Sequence, residues 1–160
     1  MNIIIEILKE FTPQEIIKFE KFLKSPYHNK SNKLIKLYKE IRKFYPAFKH
    51  DKLKEYYLYK RISPNLKFNG STFRNLIVDL RSLIDKFLIT ENLYESRFEK
   101  EILLLKVLIN KNQYSYLNLK AKKTLIDLKK DGLDSNNCYS MSVVELSKFN
   151  SKFIHKRQKT

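Results

Sequence analysis

The sequence predicts an all-α protein of seven to eight helices, packed as a bundle that grades into a helical-repeat-like array after residue 90. Three observations carry this expectation. Apolar residues recur at i, i+3, i+4 and i+7 along most of the chain, and 73–88 shows the clearest stripe. Start and stop signals such as Thr12-Pro13-Gln14-Glu15 and Asp131-Gly132 bound these runs. Apolar residues make up 42 % of the 160, enough for a folded domain with one sizeable core. No linker rich in Gly, Ser or Pro divides the chain. The expected organisation is a single helical domain over 1–160, with a subdivision into a bundle over 1–90 and a three-helix extension over 91–160.

The first helix is expected over 2–11, with Ile4, Ile5, Leu8 and Phe11 on one face. Thr12 is the expected N-cap of the second, with Pro13 at its first position and Glu15 closing a capping box. Ile16, Phe19, Phe22 and Leu23 form its apolar face. It ends near Ser25, because Pro26 disfavours helical geometry in the residue before it. Residues 27–30 read as a loop. Ser31 or Asn32 caps a third helix over 31–45, with Leu34, Leu37, Tyr38, Ile41 and Tyr45 inward and Pro46 as its stop. Asp51 caps a fourth over 51–62, with Leu53, Tyr56, Tyr57, Tyr59 and Ile62, although these tyrosines also suit a strand.

Residues 63–70 form a turn-rich loop. A fifth helix starts after Ser71 or Thr72 and carries Phe73, Leu76, Ile77, Leu80, Leu83, Ile84, Phe87 and Leu88 as the main core stripe. An exposed groove for a partner helix is the alternative for this stripe. After Glu91 a sixth helix runs to about 110. It is apolar around most of its circumference at 102–105 and 107–109, so it is expected between neighbours. A seventh over 113–130 buries Tyr114, Leu117, Ala121, Leu125 and Leu128. An eighth over 135–156 carries Tyr139, Val143, Leu146, Phe149 and Phe153. The last three helices have the length of one arm in helix-pair repeats, and the final apolar face suits an open-ended array or a partner.

Three blocks in order carry a resemblance: Leu23-Lys24-Ser25-Pro26-Tyr27-His28-Asn29-Lys30, Phe44-Tyr45-Pro46-Ala47-Phe48, and Phe73-Arg74-Asn75-Leu76 through Asp79-Leu80 to Phe87-Leu88. Together they resemble the N-terminal part of an uncharacterised family of helical proteins from Bacteroidota-type bacteria, over about residues 8–90. The resemblance implies a helical fold and a chain shorter than that family's several hundred residues. It brings no activity.

The composition excludes several functions. One cysteine makes neither an internal disulfide nor a structural zinc site. Two glycines cannot supply both a phosphate loop and a dinucleotide turn. His28, His50 and His155 are not paired at i, i+4 with a ligand. Glu91, Glu95 and Glu99 stand at successive i, i+4 positions beside Glu101, and read as a solvated face. No nucleophile stands beside a base, so the expectation is a protein that is not an enzyme and carries no cofactor and no metal. The lone Cys138 suits a reducing cytoplasm. No apolar run is long enough to span a membrane, and Lys18, Lys21 and Lys24 opposite Ile16, Phe19 and Leu23 describe an ordinary surface helix of a basic protein.

The net charge of +16 attracts polyanions. Codon usage is the competing cause. Of 33 basic residues 27 are Lys and 6 Arg, and Lys, Asn, Ile, Phe and Tyr, all abundant here, use AT-rich codons. Residues 1–60 carry 14 basic and 7 acidic groups, 61–110 carry 8 and 6, and 111–160 carry 11 and 4. For nucleic acid the candidate contacts are Lys67, Ser71, Thr72, Arg74 and Asn75 at a loop and helix start, with Lys152, Lys156 and Arg157 in the basic tail. Tyr56, Tyr57 and Tyr59 with Lys54, Lys60 and Arg61 have the chemistry to stack single-stranded bases. The first expectation is a helical scaffold or protein-interaction module with a protein partner or a second copy of itself. The alternative is a basic nucleic-acid-binding protein.

Overall fold

Thr12 sets the geometry of the N-terminal region. In the computed structural model, which describes residues 1–49, 53–96, 98–130 and 142–145, its hydroxyl accepts from the Glu15 amide at 3.2 Å. Its own amide donates to Glu15 Oε2 at 2.7 Å, which completes the expected capping box. This box separates α1 (Asn2–Glu10) from α2 (Pro13–Lys24). Then come α3 (Asn32–Arg42), α4 (Glu55–Ile62), α5 (Gly70–Glu95), α6 (Glu99–Asn110) and α7 (Tyr114–Lys130), with residues 142–145 also helical. No strand occurs among the described residues, so the class is all-α. The tyrosine-rich segment is helical, because α4 buries Leu58, Tyr59 and Ile62 at helical spacing.

The chain forms two compact units, Met1–Thr90 and Glu91–Thr160. In the first, α2 packs on α3 and α3 on α4. Its core joins Ile4, Leu8 and Phe11 to Phe19, Leu23, Leu37, Tyr38 and Ile41, and to the α5 stripe from Phe73 to Phe87. Phe87 sits among aromatic rings, 5.2 Å from Phe19 and 5.7 Å from both Phe11 and Phe22. Two tyrosine hydroxyls tie these elements together. Tyr38 donates to the Ile16 carbonyl at 3.0 Å and Tyr45 to the Phe11 carbonyl at 2.9 Å. Burial raises the Tyr38 phenol well above its ordinary value.

In the second unit α6 and α7 form a helical hairpin. Its core holds Leu105, Leu108, Tyr114, Leu117, Ala121, Leu125, Leu128 and Val144. The hairpin turn is a Schellman motif. Asn112 takes φ 56°, its amide donates to the Ile109 carbonyl at 3.0 Å, and the Gln113 amide donates to Leu108 at 2.9 Å.

Several sequence expectations are corrected. The third helix ends at Arg42 rather than 45, and a turn over 43–47 carries the chain to Phe48, which is buried at φ 48°. The fourth helix starts at Glu55 with Lys54 at its N-cap. Asp51 lies outside the described residues. Neither Ser71 nor Thr72 caps α5. Asn69 does, its Oδ1 accepting from the Thr72 amide at 2.9 Å. The fifth helix does not stop near Glu91 but continues to Glu95; α6 starts at Glu99 with Phe98 at its N-cap, and the Ser96 hydroxyl accepts from the Glu99 amide at 3.3 Å. Glu91 and Glu95 therefore lie on α5 and Glu99 on α6, so the three do not share one helical face.

The sixth helix is not buried all round. Ile102, Leu105 and Leu108 face the core, while Leu103 and Val107 are exposed at 47 % and 39 %. In the eighth segment Val144 is buried and Val143 half-buried, the reverse of the expected face. Tyr139, Leu146, Phe149 and Phe153 lie outside the described residues.

Candidate interaction surface

The C-terminal half of α3, the turn after it and α4 enclose a cleft of about 470 Å³, a size typical of ligand pockets. Phe44, Tyr57 and Leu58 give it an apolar lining, and Glu40, Lys43, Lys60 and Arg61 form its rim. The helical spacing of α4 explains the arrangement. Leu58 turns inward and is 1 % exposed, while Tyr57, one residue earlier, is 50 % exposed.

The rim charges are engaged with their neighbours. Glu40 sits between two cations, with Lys43 Nζ at 2.7 Å and Arg61 Nε at 3.5 Å. Lys60 Nζ donates to the Leu66 carbonyl at 3.0 Å, which pins the 63–69 loop to α4. Exposed ion pairs of this kind add little stability, but each rim cation already has a local contact. The cleft between them offers an apolar lining.

The structure brings together two features that are separate in sequence. Phe68 packs edge-on against Tyr56 at 5.7 Å and against Tyr59 at 5.4 Å, and Tyr59 reaches Phe73 at 6.5 Å. An aromatic ladder thus runs from surface Tyr57, 5.7 Å from Tyr56, into the core at Phe73. It joins the tyrosines of α4 to the start of α5. Lys67, Ser71, Arg74 and Asn75 are exposed and Thr72 is half-buried there. The Thr72 amide, which a phosphate at this helix start would use, already bonds Asn69. Lys152, Lys156 and Arg157 lie outside the described residues.

Sequence reasoning missed Asn29. It is buried, and its amide donates to the Leu23 carbonyl at 3.0 Å and the Ser31 carbonyl at 3.2 Å. Its Oδ1 accepts from the Ser31 amide at 2.8 Å. His28 stacks on Phe22 with ring centroids 3.9 Å apart. The loop is therefore held from inside, with Tyr27 standing 89 % exposed at its tip. The signal was a polar residue two positions before a helix cap, the spacing of an Asx turn.

In the second unit α7 has a second apolar line opposite its core face. Tyr116, Leu119 and Ile126 are exposed at 48 %, 62 % and 55 %. Among the described residues no group of three His, Cys, Asp or Glu could hold a metal. No described helix is long and apolar enough to cross a membrane.

These features define an all-α, strongly basic protein with an apolar cleft on its N-terminal unit. Comparison of the chain with protein-family models, with curated proteins and with solved structures finds no match.

Proposed function

We propose that this protein is a non-enzymatic helical interaction module whose α3–α4 cleft receives an apolar side chain of a protein partner. One observation carries the reading. The cleft presents Phe44, Tyr57 and Leu58 while its rim cations are held by Glu40 and the Leu66 carbonyl. A phosphate entering there shares Lys43 and Arg61 with Glu40, whose negative charge opposes it, whereas an apolar group displaces only water. The sequence supports the non-enzymatic part, since no nucleophile stands beside a base, and a single Cys138 fits a cytoplasmic setting.

A peptide-display selection against the wild-type protein, repeated on Tyr57→Ser, tests it. Peptides with an apolar anchor that lose binding on Tyr57→Ser are expected. A selection returning only binders indifferent to Tyr57→Ser sinks the reading.

The second reading, nucleic-acid binding, is favoured by the aromatic ladder that sets Tyr56 and Tyr57 beside exposed Lys67, Arg74 and Asn75. Titration of labelled single- and double-stranded oligonucleotides across a salt series separates the two. The interaction-module reading expects weak binding that disappears by about 0.15 M salt, where the Debye length is about 8 Å. Sub-micromolar binding at that salt, weakened by Arg74→Ala, establishes the second reading instead.

A further inference from the structure

We infer that the partner segment in the α3–α4 cleft is an acidic amphipathic helix. The inference rests on the interaction reading above and adds the chemistry of the occupant. Lys33, Lys36, Glu40 and Lys43 stand at i, i+3, i+7 and i+10, so one line along α3 leads into the cleft. All three lysines on it are exposed. Glu40, the only acid on that line, is already neutralised by Lys43 and Arg61. The approach to the cleft is therefore a row of positive charge repeating at helical spacing beside an apolar slot.

The complement of such a surface is a helix with apolar residues at i, i+3, i+4 and i+7 and carboxylates along one flank. Its apolar face fills the slot over Tyr57, and its flank runs against Lys33 and Lys36. An extended peptide has no equivalent seat, because no strand edge is offered among the described residues. Charge complementarity of this kind selects the partner and speeds its arrival more than it deepens affinity.

The test uses the full chain and fluorescence anisotropy with four probes. The first is a synthetic helical peptide with leucines at the four apolar positions and glutamates on one flank. The second replaces the glutamates by glutamines. The third scrambles the first so that no apolar face remains. The fourth is a single-stranded oligonucleotide of equal charge.

The acidic amphipathic peptide is expected to bind at least about tenfold more tightly than the other three, a difference of about 1.4 kcal/mol. Tyr57→Ser and the double reversal Lys33→Glu, Lys36→Glu should each weaken it by about tenfold, with helical circular dichroism unchanged. All these positions are exposed, so the variants fold.

Equal binding of the glutamine peptide overturns the acidic partner and leaves the interaction reading standing. Equal binding of the scrambled peptide or of the oligonucleotide overturns both. Absence of binding by all four probes overturns the inference alone, since the peptide-display selection tests the wider reading separately.

Discussion

Glu15 accepts two hydrogen bonds from Thr12, one from its amide and one from its hydroxyl. These bonds, the backbone one first, hold the Glu15 carboxyl below its ordinary value, with Lys18 adding to the effect against a small burial penalty. The folded state thus binds this proton less readily than the unfolded chain. The stability it contributes is full above the unfolded value and lost as pH falls through the lowered folded one. Wild type should therefore exceed Glu15→Gln in urea midpoint at neutral pH, and the gap should close in acid below the carboxylate range. Asn29 gives a second prediction. Asn29→Asp keeps the shape but turns the two donors toward Leu23 and Ser31 carbonyls into an acceptor. A loss of about 1–3 kcal/mol in denaturant unfolding is expected. Gly70 opens α5, and a Cβ there meets only Phe68 ring carbons at 3.9 and 4.0 Å. Gly70→Ala should stabilise the protein by about 0.4–1 kcal/mol through the unfolded chain, which thermal melting can detect.

At the scale of elements, α5 and α6 show how a periodic run is divided. Residues 91–110 are helix-forming throughout, and periodicity alone does not say where one helix ends. The local hydrogen bonding does, because α5 ends at Glu95 and the Ser96 hydroxyl takes up the amide of Glu99, the first residue of α6. Ser96→Ala removes that hydrogen bond and should cost about 0.5–1.5 kcal/mol, read as a lower denaturation midpoint and as faster amide exchange over the first turn of α6. The outward face of α6 has a different lesson. Leu103 and Val107 are apolar yet exposed, since a helix in a hairpin has one core side and its other apolar residues remain on the surface unless something covers them.

At the scale of the molecule, the core of the first unit, from Ile4 to Phe87, shares no residue with that of the second, from Leu105 to Val144. A chain ending at Ser96 should therefore fold alone, with helical circular dichroism and one cooperative unfolding transition. A broad, non-cooperative melt of that chain would show that the first core is not self-sufficient. The charge acts at this scale as well. Its total is +16, but at the cleft several cations are spent on local pairs with Glu40 and Leu66. Net charge governs long-range attraction, whereas which anion or apolar group a site accepts depends on what its cations already touch.

Periodicity and caps were enough to read the class, the capping box at Thr12, the Pro26 boundary, and most of the inward faces of α2, α5 and α7, although Leu88, expected in the α5 stripe, is exposed. Each is a local consequence of side-chain spacing or backbone chemistry within one turn. Tertiary structure alone decided that Tyr57 faces out while Leu58 is buried, that Phe68 bridges α4 and α5, and that Glu40 pairs with both Lys43 and Arg61. These facts join residues from different elements, and spacing along one helix holds no record of what another helix brings beside it. The candidate cleft belongs to that second kind, because it exists only where α3, the turn after it and α4 meet.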